Sequence, residues 1–76
     1  MNGRRREKLR RASEYLVSAR QLIEKAQDEE QDMLDNLPEN LSESDRAWKM
    51  ENAVDSLDGA TSSIDDALEF VTEAMA

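Results

Sequence analysis

The chain has 76 residues, of which 38% are hydrophobic and 37% charged, with no cysteine, no histidine, one proline, two glycines and a formal net charge of −8. That length excludes a large enclosed core, and the missing cysteines and histidines exclude disulfide staples and the commonest transition-metal ligands. A pI near 4.4 argues against duplex nucleic acid as a partner, because most of the surface repels phosphate.

The first predicted element follows a basic opening. Arg4-Arg5-Arg6 leads into Glu7-Lys8 and not into an uninterrupted apolar stretch, so it does not read as a signal peptide. Apolar residues at 9, 12, 16, 19, 23, 26, 33 and 37 then follow the three-four spacing that gathers them on one stripe of a helix. The spacing predicts a helix over about 4–36, with Leu9, Leu16 and Ile23 at heptad position a and Ala12, Ala19 and Ala26 at d. Glu30 falls at an a position where an apolar seam would be continuous.

Pro38 disfavours the helical conformation at Leu37, which places the helix end near Asn36 and a loop at about 37–42. Ser42, with Asp45 three residues on, reads as a capping box with the shorter acid, and Glu43 and Asp45 suit the positive end of a helix. A second helix is therefore predicted over about 43–75. Its apolar residues at 47, 50, 54, 57, 64, 68, 71 and 75 form one stripe, flanked by an alanine column at Ala53, Ala60, Ala67 and Ala74 and interrupted by Thr61. Gly59 falls on an outward position. It is either a tolerated surface glycine, costing about 1 kcal/mol relative to alanine, or a point where a partner approaches closely.

The two helices mirror each other. Ala12, Ala19 and Ala26 pair with Ala67, Ala60 and Ala53 when the residue numbers sum to 79, and Leu9, Leu16 and Ile23 pair with Val71, Ile64 and Leu57 at a sum of 80. The reading is an all-α, antiparallel two-helix hairpin spanning residues 1–76, with alanines in the seam allowing approach toward the short end of the ~8–10 Å interaxial range. Two helices leave their flanks wet. Tyr15, Val17, Leu22, Leu34, Val54, Leu68, Phe70 and Met75 make each stripe wider than one seam consumes, so a homo-oligomer is expected, the smallest being a four-helix bundle of two hairpins. Leu22, Val54, Leu68 and Phe70 are the residues expected between subunits.

Charge is segregated along the chain. Residues 1–11 hold six cations against Glu7, a local +5, whereas residues 24–45 hold nine carboxylates against Lys25, a local −8. At the open end the cations are expected beside Asp65, Asp66, Glu69 and Glu73 of the second helix. One reading of them is interhelical pairing and solvation, with exposed pairs contributing only ~0–1 kcal/mol each. The other is an anion site built from Arg4, Arg5, Lys8 and Arg11, whose guanidinium forks suit phosphate oxygens, with Tyr15 one turn on to stack or to donate a hydrogen bond. The acidic loop end is likewise either a solvated face or a phosphate mimic that docks on a basic protein. Trp48 lies outside the main stripe and is read either as packed under the loop against Leu37 or Leu41, or as a partner contact.

No constellation names a reaction. Asp28, Glu29, Glu30, Asp32 and Asp35 spread over several helical faces, no calcium loop or Glu-x-x-His pair is present, and Ser13, Ser18, Ser56, Ser62 and Ser63 have no histidine base. Lys49 is expected to be exposed, and no glycine-rich turn is present to cradle a nucleotide. Enzymatic activity, a metal and a cofactor are therefore not expected. No run approaches the ~20 apolar residues needed to span a bilayer, and the chain reads as a soluble cytoplasmic protein entire from Met1.

The segment Asp35-Asn36-Leu37-Pro38-Glu39-Asn40-Leu41-Ser42-Glu43-Ser44, followed by the helix from Met50 to Ala74 with its Ala-Val-Asp and Asp-Asp-Ala-Leu-Glu stretches, resembles a group of short helical-hairpin proteins of bacteriophages and prophages of Gram-positive bacteria. The resemblance covers most of the chain and centres on the loop and the seam. That group has no assigned functional residues, so none is carried over. What the resemblance implies is a setting in the bacterial host cell and action by binding, whether by sequestering an anionic nucleotide immune signal or by inhibiting a host protein. A structural hairpin without a ligand is the third reading.

Overall fold

The computed structural model describes all of residues 1–76 as two helices, α1 (Gly3–Asp35) and α2 (Asp45–Met75), joined by a loop containing a short 3-10 turn at Glu39–Leu41. The helices pack on each other along their length in a rod of 59 × 15 × 12 Å, an all-α antiparallel hairpin. Neither helix is long and apolar enough to cross a membrane.

The ends of each helix follow from side chains that satisfy otherwise orphaned backbone groups. The Asn2 carboxamide oxygen accepts from the Arg5 N–H at 2.9 Å and starts α1. At its far end the Asn36 backbone and side-chain amides both donate to the Asp32 carbonyl, at 3.1 and 2.7 Å, and Pro38 then holds an extended conformation that the helix cannot continue through. The α2 cap corrects the expectation from sequence. It is Ser44, whose oxygen accepts from the Ala47 N–H at 3.2 Å, and α2 starts at Asp45 instead of about 43. Ser42 is unavailable because it closes the 3-10 turn, its N–H and hydroxyl both donating to the Glu39 carbonyl in a helical conformation. Ser44 has the extended backbone that a cap needs.

Burial within the hairpin is graded, as expected when each helix has only one neighbour. Ala47, Met50 and Thr61 are the buried residues, with Ala47 only 1% exposed. Leu9, Leu16, Ile23 and Leu34 of α1, Leu37 of the loop, and Val54, Leu57, Ile64, Leu68 and Val71 of α2 are half-buried along the seam. The polar interruption at Thr61 is satisfied within its own helix, its hydroxyl donating to the Asp58 carbonyl at 2.9 Å.

The alanine columns keep their place over part of their length only. Ala12, Ala19, Ala53, Ala60 and Ala67 are half-buried, but Ala26 is exposed and so is Ala74. A straight helix drifts by ~20° per heptad against a strict seven-residue repeat, so by the third step the column has rotated off the seam. The same drift turns Gln27, seven residues on from Arg20 at the other edge, onto the seam, where its amide donates to the Val54 carbonyl of α2 at 3.1 Å. Ala47→Leu, at the tightest point, is expected to destabilise the hairpin by about 1–3 kcal/mol through overpacking. Ala26→Leu should cause no loss, and urea or thermal unfolding of the two variants checks the drift.

Candidate functional site

The surface left over by the seam is sorted by chemistry, and two bonds fix how. On α1, Ala12 and Ala19 border one edge of the seam and Ser13, Arg20 and Gln31 the other; on α2, Ala53, Ala60 and Ala67 border one edge and Val54, Thr61 and Leu68 the other. Arg20 grips Asp65 across the seam, Nε to Oδ1 at 2.7 Å and Nη2 to Oδ2 at 3.1 Å, and also pairs with Glu24. Together with the Gln27–Val54 bond, this joins the Arg20 edge of α1 to the Thr61 edge of α2. The two alanine edges therefore share the opposite side.

On that alanine side, helical spacing continues outward from α1 to Arg4, Lys8, Arg11, Tyr15, Leu22, Ala26 and Met33, and from α2 to Ser56, Ser63, Phe70 and Ala74. Tyr15 and Leu22 are each 70% exposed and Phe70 is 69% exposed. Beyond Ala47, Lys49 is the lone charged residue on this flank of α2, because Glu51, Asp55, Asp58, Asp65, Asp66, Glu69 and Glu73 all project from its other faces. Val54 and Leu68, expected between subunits along with Leu22 and Phe70, are half-buried within the hairpin itself on the Arg20 side.

The basic end departs from its expected pairing. Arg4, Arg5, Lys8 and Arg11 are exposed and make no ion pair; within this segment Arg10 alone pairs, with Glu7 of its own helix at 3.1 Å. The Nε of Arg6 is shielded from solvent and has no acceptor. Asp66, Glu69 and Glu73 do not reach these cations, because they project outward from α2 while Arg4, Lys8 and Arg11 occupy the flank on the opposite side of the seam. The one carboxylate of this group that turns toward α1, Asp65, is taken by Arg20.

Of the two readings of Trp48, packing under the loop does not hold, since the residue is 63% exposed. Ala47 and Met50 already fill the seam at that level, and a residue between two inward-facing neighbours at this spacing points to the far side of the helix. Its helical neighbours there are Asp45, Glu51 and Asp55. No cavity opens on the hairpin, and no three acidic side chains stand close enough together to hold a metal ion. The arrangement thus offers surfaces and not a pocket: a cluster of free cations with Tyr15 beside it, an apolar flank, and an acidic end carrying Trp48.

No motif marks the Arg20–Asp65 pair, and Asp65, expected beside the N-terminal cations, is held by Arg20 instead. The signal available was the position of Arg20 on the seam edge, where a long side chain can lay its stem along the interface and reach a partner helix with its head. Comparison with protein-family models, with curated proteins and with solved structures finds no match.

The Arg20 fork holds the Asp65 carboxyl below the ordinary carboxylate range, chiefly by hydrogen bonding to its ionised form, and Asp65 in turn raises Arg20. A carboxyl depressed in the folded state contributes stability that is full above its unfolded value and is lost as pH falls through its folded value. Arg20→Ala is expected to move the Asp65 titration upward toward an ordinary aspartate and to flatten that acid-side loss. A carboxyl-detected NMR titration of parent and variant reads the shift directly.

Proposed function

We propose that this chain is a non-enzymatic binding protein that works as an oligomer and engages an anionic ligand through the cations of its N-terminal end. The observation that carries this reading is that Arg4, Arg5, Lys8 and Arg11 are exposed and unpaired in a chain of net charge −8. Had these cations served only to staple the hairpin, α2 would present its carboxylates to them. Guanidinium forks left free in this way match phosphate oxygens two bonds at a time, and the exposed ring of Tyr15 on the same flank offers a base a stacking surface. A single convex helix cannot surround a ligand, so the basic segment needs surface from another copy to enclose one. The phage resemblance suggests the class, a cyclic or ADP-ribose-derived nucleotide, and the context, a counter-defence protein acting in the cytoplasm of a bacterial host.

A second reading is favoured by Trp48. An exposed tryptophan ringed by Asp45, Glu51 and Asp55 suits a contact with a basic protein surface, which would make the acidic end an inhibitor or adaptor of a host protein.

Calorimetric titration with cyclic dinucleotides, cyclic oligonucleotides and ADP-ribose derivatives separates the two. The parent is expected to bind one class saturably and more weakly as salt is raised, and an Arg5→Ala/Arg11→Ala variant to lose binding by about tenfold or more, in line with the loss of charge-assisted bonds. No binding to any member, with a host protein recovered by the parent but not by Trp48→Ala, would transfer the assignment to the acidic end.

A further inference from the structure

We infer that the alanine-side flank carrying Tyr15, Leu22, Met33 and Phe70 is where a second copy of this chain docks, and that it docks antiparallel, the Arg4–Arg11 segment of each copy over the acidic loop end of the other. The inference rests on the oligomeric reading above and deepens it by naming the face and the orientation.

Three observations lead to a second copy. Of the large apolar side chains that stay exposed along the helices, Tyr15, Leu22, Met33 and Phe70 fall on this one side, while Trp48 points outward from α2 and Val17 stands alone on the Arg20 side, which is closed by an ion pair and lined by the carboxylates of α2. The side of the rod is 59 × 15 Å in extent, so a contact of the ~800 Å² per partner of a standard stable interface has to run most of its length, as antiparallel docking along the rod does. The α2 half of the face is also flat, because Ser56, Ala60 and Ser63 carry small side chains.

Charge sets the orientation. Counted over both helices, the open end (residues 1–14 and 65–76) holds six cations against six carboxylates, while residues 24–45 at the loop end carry −8. Parallel docking would therefore set −8 against −8, whereas antiparallel docking sets each acidic loop end over a neutral end whose exposed Arg4, Lys8 and Arg11 lie on the docking flank. A two-fold axis across the middle of the rod makes the contact self-complementary and closes it as a four-helix bundle. The carboxylates of the partner then become the resident counter-charges of Arg4, Lys8 and Arg11. A soluble anion gains these cations by displacing them, so anion binding and the dimer contact draw on the same charges.

The test combines sedimentation equilibrium with a spin-label distance, which the absence of native cysteine makes simple. The parent is expected to be a dimer at micromolar concentration. Leu22→Glu should raise its dissociation constant at least about tenfold, and Val17→Glu, exposed on the Arg20 side, should leave it unchanged. Circular dichroism keeps the test valid, since Leu22 contributes little to the hairpin itself and helicity should persist. A label at Lys8→Cys is expected to see its counterpart at about 40 Å in the antiparallel dimer, from the ~1.5 Å rise per residue, against less than about 20 Å in a parallel one. A parent that stays monomeric overturns the oligomeric reading altogether. A dimer that is indifferent to Leu22→Glu, or one with the short label distance, overturns the face or the orientation while leaving that reading intact.

Discussion

One constraint governs this molecule: each helix has a single neighbour, so each can bury a single stripe. Only Ala47, Met50 and Thr61 are buried, and the larger seam residues keep part of their surface in water. Cohesion therefore comes from length, with a modest contact repeated at every turn of two helices of 33 and 31 residues, and not from depth at any point. Polar residues enter such a seam easily because water is never far away. Gln27 and Thr61 both do so with their hydrogen bonds satisfied by backbone carbonyls, one across the seam and one within α2.

The same constraint leaves most of the surface free of structural duty, and that surface is segregated. On α2 the carboxylates occupy one side and the outer face, while the alanine side carries serine, alanine, Phe70 and the lone Lys49. Solubility alone calls for charges distributed around a rod, not for one flank cleared of them. Unsegregated acids on that flank would also stand closer to Arg4, Lys8 and Arg11. Their absence links two features that would otherwise look independent, the uncharged face of α2 and the unpaired cations of α1.

Much of the fold is legible in the order of residues, because the signals that carry it are local. Three-four spacing, the stop at Pro38 and the serines of the loop define two helices and a turn to within about two residues. The errors share a physical cause. Assigning Ala26 to the seam treated a 3.6-residue helix as if it kept a seven-residue step indefinitely, and the drift puts Gln27 there. Choosing Ser42 over Ser44 missed that the 3-10 turn consumes the donors of the former. Trp48 and the pairing of the basic end depended on which flanks of the two helices share a side, which periodicity alone does not say. The Arg20–Asp65 bond supplies that information, and once it is known the remaining faces follow from spacing.

Net charge is a poor guide to what this chain attracts. At physiological ionic strength the field of a charge falls away over a Debye length of ~8 Å, while the basic end and the acidic loop stand at opposite ends of a rod 59 Å long. An anion close to Arg4, Lys8 and Arg11 therefore experiences these exposed cations first, with Asp65, Asp66, Glu69 and Glu73 across the 15 Å rod partly screened, and not the −8 of the whole. Size then selects among anions. A ligand only a few ångströms across stays within the attractive end, whereas a duplex laid along the rod meets the carboxylates of residues 24–45 and loses at one end what it gains at the other. A second copy of the chain laid antiparallel meets less of this penalty, since it sets its acidic loop end against the neutral open end, with its exposed Arg4, Lys8 and Arg11, instead of against a second acidic end.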